Sequence, residues 1–255
     1  MTQTNQKQQK LIKICGLKTP TEAKAAINNG ANLLGVIMVP NRKRTIDPEE
    51  ALKISQLCQE ARLSRGITTT SKDLLNKVIR SNTATTSKPS EWFTNTIQEV
   101  ISNGPFLVGV FRNQSIAEIN DSVAKLRLDM VQLHGTEDIE EYASEITVPV
   151  IPRFVLADST RLQLALRTGL FVAPLLDSEA GGEGKVIDWD AAANTLGKEL
   201  GGVFILAGGL KPENVAAALN VKGCVGVDVS GGVETDGKKD LSKIKLFLEN
   251  GRNGQ

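Results

Sequence analysis

VFILAGGLKPENVAAALNVKGCVGVDVSG, residues 203–231, is the stretch that decides the fold. Two apolar runs, VFILAGG (203–209) and CVGVDVSG (224–231), flank a segment that opens with Lys211-Pro212-Glu213-Asn214. Neither run alternates cleanly between apolar and polar, which suits parallel strands covered on both faces. Between them, proline and acid mark a helical first turn: proline lacks the N–H that would be orphaned there, and a carboxylate suits the positive helix end. This is one turn of a repeated βα pattern. Working outward, the same apolar runs recur at LIKICG (11–16), NLLGVIMV (32–39), PFLVGVF (105–111), MVQLHG (130–135), PVIPRFVL (149–156) and LFVAPLLDS (170–178). Thr19-Pro20-Thr21-Glu22 and Asp47-Pro48-Glu49-Glu50 open two further helices in the same manner.

Eight such strands with helices between them fit a closed sheet better than an open one. The fold class is therefore α/β, a single TIM (β/α)8 barrel, and 255 residues suit one large core. Residues 1–10 read as a disordered polar N-terminus and 11–250 as the catalytic barrel domain. One stretch breaks the rhythm. Residues 63–104 are rich in Ser and Thr and read as a solvated insertion between the second helix and the third strand, lengthening a helix and adding flexible connectors. Within it Trp92, Phe93, Ile97 and Ile101 share a helix face.

Thirty Lys and Arg against 29 Asp and Glu leave a formal charge of +1, with no global attraction to polyanions. No nucleic-acid or membrane partner is expected. A single histidine, His134, excludes His-rich metal sites and two-histidine relays, so no metal is expected and proton transfer must fall to carboxylates, Lys or Cys. Cys15, Cys58 and Cys224 form no CxxC and no disulfide framework, which fits a reduced cytoplasmic compartment. MTQTNQKQQK has no apolar core, and no later run reaches the roughly 18 apolar residues of a spanning helix.

Active sites of parallel barrels lie at the carboxyl ends of the strands. That places Lys13, Cys15, Arg44, Arg112, Gln132, His134, Arg153, Asp177, Asp228 and Ser230 on the shortlist. Glycines after the last two strands, Gly208-Gly209 and Gly231-Gly232, let backbone N–H groups approach a phosphate at this architecture's recurrent phosphate site. Gly232 to Lys238 has the spacing of a phosphate-binding P-loop, but Lys239 stands where a Ser or Thr must meet magnesium, so the segment reads as a plain loop. No GxGxxG opens a helix after the first strand. Asp177 precedes an acidic, glycine-rich loop suited to cover a ligand, and Cys15, if accessible, offers a thiolate base. Arg44 belongs to the densest positive run, Pro40-Asn41-Arg42-Lys43-Arg44, and its rigid fork suits a carboxylate.

KICGL, PNRKRTID, VGVFRNQ, VQLHG, LLDSEAGGEGKVIDW, LAGGLKPENV and GVDVSGGVE, taken in order, resemble the phosphoribosylanthranilate isomerases of tryptophan biosynthesis, in particular the fungal type. The resemblance runs from residue 11 to about 250 and departs mainly at 63–104. It implies a cofactor-free Amadori rearrangement of N-(5-phosphoribosyl)anthranilate to 1-(2-carboxyphenylamino)-1-deoxyribulose 5-phosphate. It further implies Cys15 as general base, Asp177 as general acid, Arg44 on the anthranilate carboxylate, and Gly208, Gly209, Ser230 and Gly231 on the phosphate. Lys13, Gln132, His134 and Asp228 would line the pocket. Burial is expected to raise the Asp177 carboxyl, and Lys13 to lower the Cys15 thiol. A monomer that binds a small-molecule substrate is expected. Two rivals remain: a catalytically silent phosphoribosyl-ligand binder, which would need neither Cys15 nor Asp177, and a sister barrel such as indole-glycerol-phosphate synthase. The second needs a Lys/Glu set that strand ends Val39-Pro40 and Asp177 do not supply.

Overall fold

The computed structural model describes residues 8–80, 88–177, 188–199 and 201–254. The lead-in over 1–7, residues 81–87 of the insertion and the loop 178–187 lie outside the described residues. Each of the eight expected windows holds one strand: β1 (Leu11–Ile14), β2 (Leu33–Ile37), β3 (Phe106–Phe111), β4 (Met130–Leu133), β5 (Val150–Phe154), β6 (Leu175–Leu176), β7 (Phe204–Ala207) and β8 (Cys224–Val229). They pair in parallel in that order and close through β8 against β1, with Leu11 opposite Gly226 and Lys13 opposite Asp228. The strands' side chains are buried almost throughout, so alternation is absent because both faces are covered.

The ring of helices comprises α1 (Pro20–Asn28), α2 (Pro48–Leu63), α5 (Ile116–Leu126), α6 (Ile139–Glu145), α7 (Ser159–Leu162), α8 (Trp189–Ala192), α9 (Val215–Leu219) and α10 (Leu241–Asn253). Thr19 caps α1 reciprocally with Glu22, and Asp47 caps α2 through the Glu49 N–H at 2.8 Å, both with proline in the first turn. Period-two geometry sets what enters the barrel. Ile12 points outward, its Cδ1 lying 2.7 Å from where a Cβ on Gly251 of α10 would stand. Its neighbours Lys13 and, beyond the strand end, Cys15 therefore face the interior.

Three features differ from the sequence reading. β6 is two residues long rather than spanning 170–178, because Pro174 has no N–H to donate to a neighbouring strand. α9 starts at Val215 rather than Pro212: the Asn214 side chain accepts from the Lys211 N–H at 2.7 Å and donates to Gly209 O at 3.1 Å, closing a turn where the first helical turn was expected. The insertion is not a solvated excursion. It forms α3 (Ser71–Asp73), a π-helical continuation over Leu74–Ile79, and a separate α4 (Pro89–Asn103). Leu74, Leu75, Ile79, Trp92, Phe93, Ile97 and Val100 are buried. Phe93 stacks on Phe171 at 5.4 Å between centroids, just ahead of β6, and Arg80 donates to carbonyls of Ser144 and Ile146, just ahead of β5. Both anchors lie at the amino ends of strands. The described parts of the insertion therefore pack across the end of the barrel opposite the carboxyl-terminal mouth.

Candidate active site

Eight of the ten shortlisted residues meet at that mouth on a pocket of about 670 Å³, lined among others by Cys15, Arg44, Gln132, His134, Asp177 and Asp228, with Gly208, Gly209, Ser230 and Gly231 along its β7–β8 side; Arg153 is not among the lining residues, and Lys13, expected to line the pocket, is wholly buried behind its wall. A second hollow, about 820 Å³, lies at the opposite end around Asn28, Asn32, Ser64 and Pro105, and gathers none of the shortlisted residues.

Cys15 leaves β1 with its N–H donating to Val229 O at 2.8 Å, and Gly16 then turns the chain at φ +75°. Space for the thiol comes from the adjacent strand: a Cβ on Gly35 would stand 2.6 Å from Cys15 Sγ and 3.0 Å from Lys13 Nζ. Lys13 is wholly buried and donates to both oxygens of Asp228, at 3.0 and 2.9 Å. A buried ammonium persists only when paired in this way. Burial depresses Lys13, but the charges of Asp228 and Cys15 outweigh it and hold its pKa above the ordinary lysine value.

Burial is also the largest influence on Cys15, and here it wins. It pushes the thiol above its usual range, Lys13 pulls it down, and Asp228 pushes it up again. The expectation that Lys13 would leave a lowered thiol is therefore corrected: desolvation of the thiolate exceeds the attraction of one cation that Asp228 already neutralises.

Asp177 follows β6, is buried, and donates its N–H to Phe154 O at 3.0 Å. Arg153 Nε lies 3.4 Å and His134 Nε2 3.9 Å from its Oδ2. Burial first, then the positive charges of Arg153, Lys13 and Arg112, bring His134 down to about 3, so it is a neutral imidazole near pH 7. Among the described residues, Gln132 Oε1, His134 Nδ1 and Ser230 Oγ are buried without a hydrogen-bond partner, and all three residues line this pocket. Buried polar atoms are normally satisfied, so three orphans around one pocket mark places for a polar ligand.

The β7 and β8 turns form a single surface. Gly208 and Gly209 both take left-handed backbone, at φ +89° and +65°. A Cβ on Gly232 would fall 1.7 Å from Leu210 O, so the two turns touch only because glycine stands there.

Arg44 comes over from the loop after β2, its Cδ 2.9 Å from where a Cβ on Gly16 would be. There it meets two residues absent from the shortlist. Glu234 accepts from Arg44 Nε at 2.7 Å and Nη2 at 3.2 Å, and Lys239 donates to Glu234 Oε1 at 2.9 Å and Ser230 O at 2.8 Å. They face each other because the segment read as a failed P-loop is an antiparallel ribbon, β9 (Glu234–Thr235) with β10 (Lys238–Lys239). Its turn is Asp236-Gly237 with φ of 51° and 73°, and Asp-Gly between short polar runs is a hairpin signal that the sequence carried.

A family model described as N-(5'phosphoribosyl)anthranilate (PRA) isomerase matches residues 58–250. The N-(5'-phosphoribosyl)anthranilate isomerase of Komagataella pastoris is 49% identical over 243 residues, 94% of this chain and 98% of that protein. The crystal structure of phosphoribosyl anthranilate isomerase from Thermotoga maritima matches with a TM-score of 0.68 at 30% identity, covering 95% of this chain and 98% of that one. A phosphoribosyl anthranilate isomerase in complex with reduced 1-(o-carboxyphenylamino)-1-deoxyribulose 5-phosphate matches at 0.63 and 28% identity, with the same coverage of 95% and 98%. With relatives matched nearly end to end and a family match over most of its length, this chain belongs to the N-(5'-phosphoribosyl)anthranilate isomerase family.

Proposed function

We propose that this isomerase converts N-(5-phosphoribosyl)anthranilate to 1-(2-carboxyphenylamino)-1-deoxyribulose 5-phosphate with Asp177 as general acid and Cys15 as general base. The observation that carries the reading is that these two groups stand just past the carboxyl ends of β6 and β1, with β7 and β8 between them in the ring, and line one pocket. Asp177 gives its proton to the furanose ring oxygen while the anilino nitrogen lone pair expels that oxygen, opening the ring to a Schiff base. Cys15 then takes the C2 proton, and the resulting enolamine tautomerises to the ketone. Hydrogen moves from C2 toward C1, so no external oxidant or reductant enters the balance. Arg44 takes the anthranilate carboxylate, and Gly208, Gly209, Ser230 and Gly231 hold the phosphate. His134, neutral near pH 7, competes neither as acid nor as cation, and with Gln132 it offers hydrogen bonds to the sugar.

The raised thiol gives this mechanism a pH signature. Only the thiolate can accept the C2 proton. Because burial holds Cys15 up, the thiolate is a minority species at neutral pH, and because Asp177 must be protonated in the same molecule, the gain in thiolate with rising pH is offset by loss of the acid: turnover follows a bell, level between the two groups' pKa values and falling on either side.

The test follows the loss of anthranilate-type fluorescence on mixing fresh phosphoribosylanthranilate with protein, as a function of pH. A bell-shaped pH profile in the wild type, with Cys15→Ser and Asp177→Asn inactive, is expected. Profiles unchanged in both variants would sink the assignment, and tight binding without turnover in the wild type would favour a silent ligand-binding barrel.

A further inference from the structure

We propose that Glu234 is a positioning residue for the substrate's carboxylate, fixing Arg44 so that one edge of its guanidinium is left for the ligand; this rests on the function proposed above.

A guanidinium has five N–H donors in a rigid plane, and a carboxylate can be matched along either of two edges. Glu234 occupies the edge formed by Nε and Nη2. Nη1 and the second Nη2 hydrogen remain for another oxyanion, in the same plane. An arginine on the loop between β2 and α2, with part of its side chain solvated, would otherwise sample many rotamers, and holding it in one lowers the entropy lost on binding.

Glu234 is itself held. Its side chain is 9% exposed, and Lys239, 3% exposed, donates to the same Oε1 that Arg44 Nε uses. Burial raises the Glu234 carboxyl, but the hydrogen bonds from Arg44 and Lys239 outweigh it and bring it below the ordinary range, so it stays ionised at neutral pH. The β9–β10 pairing sets the spacing of Glu234 and Lys239, and Lys239 reaches back to Ser230 O. The ribbon therefore couples the carboxylate end of the site to the phosphate turn. Space is cleared for this geometry as well: a Cβ on Gly231 would stand 3.2 Å from Arg44 Nη2, and one on Gly16 would press its Cδ.

A residue that merely props up the loop would affect every substrate alike. One that aims Arg44 affects only substrates with the carboxylate. The experiment measures kcat/KM of wild type and Glu234→Gln on phosphoribosylanthranilate and on phosphoribosylaniline, which lacks the ortho carboxylate. The expected result is a roughly ten- to hundredfold loss on the first, carried mainly by KM, with less than about threefold change on the second. Equal losses on both substrates, or an unchanged discrimination ratio, would overturn the proposal. Should Glu234→Gln fail to fold by circular dichroism, Glu234→Asp, which keeps the charge but shortens the reach, is expected to lower the same ratio, and an unchanged ratio overturns the proposal equally. A wild type that turns over neither substrate would instead overturn the functional reading, and this inference with it.

Discussion

Replacing Gly35 by alanine tests whether the placement of Cys15 is set by the neighbouring strand. The added methyl would lie 2.6 Å from Cys15 Sγ, 3.0 Å from Lys13 Nζ and 3.1 Å from Cys15 Cα. Ordinary van der Waals separation begins near 3.4 Å, so the sulfur must retreat by about 0.8 Å or change rotamer. Rotation of the thiol alone cannot relieve the crowding, because the methyl also presses on the Cys15 main chain, which must move as well. Overpacking of this kind costs about 1–3 kcal/mol of stability. In a chain of this size, that is about 2–4 °C of melting temperature per kcal/mol. The kinetic consequence is larger. Displacing a proton-transfer group by nearly an ångström costs up to about a hundredfold in rate, or about 2.7 kcal/mol of transition-state stabilisation. Arg44 and the glycine turns are untouched, so KM should hold while kcat falls. The assay is the fluorescence progress curve at saturating substrate, alongside a thermal melt. A Gly35→Ala enzyme with full kcat and an unshifted melt would refute the claim that this glycine makes room for the thiol, and with it the packing around Cys15 described above.

Three further outcomes follow from the structure. Asp228→Asn leaves the buried Lys13 ammonium uncompensated and should destabilise by about 3–5 kcal/mol; adding Lys13→Met should restore much of the melting temperature without restoring activity, and a single variant as stable as wild type would count against the pair. His134 titrates near 6.5 when unfolded and at about 3 when folded, so its contribution is fully present above pH 6.5 and is lost as pH falls toward 3; denaturant titrations should show this acid slope, about 1.4 kcal/mol per pH unit, diminished in His134→Asn, and equal slopes would refute the shift. Phe93→Ala removes the ring stacked on Phe171 at the end far from the pocket and should cost about 3–5 kcal/mol in a melt while leaving kcat and KM at their wild-type values, whereas a changed KM would tie the insertion to the site.

The eight strands were legible because burial on both faces writes itself as continuous apolar runs, and the polar exceptions at their ends mark the mouth that holds the pocket. What escaped depends on partners distant in sequence. Composition marked the insertion as solvated, since Ser and Thr outnumber apolar residues in its connectors; yet on the face read as Trp92, Phe93, Ile97 and Ile101 the first three are buried, and Phe93 finds its partner in Phe171, three strands further along the chain. The direction of the Cys15 shift turned on desolvation, which no local spacing records. Arg44 and Glu234 are 190 residues apart, and only closure of β8 against β1 brings them together. The ribbon that carries Glu234 has a local signature in Asp236-Gly237, but the same residues also carry the spacing of a P-loop, and spacing alone does not decide between the two.

That closure also orders events in time. Lys13 and Cys15 are among the first residues of the barrel to leave a ribosome, while Asp228, Ser230, Glu234 and Lys239 are among the last. For most of synthesis Lys13 has no counterion, and a barrel that shut without β8 would have to hide a bare ammonium in its interior. Chains cut short before that final strand are thus marked by an unpaired buried charge that opposes their folding, so a truncated product is poorly placed to persist as a compact but inactive look-alike.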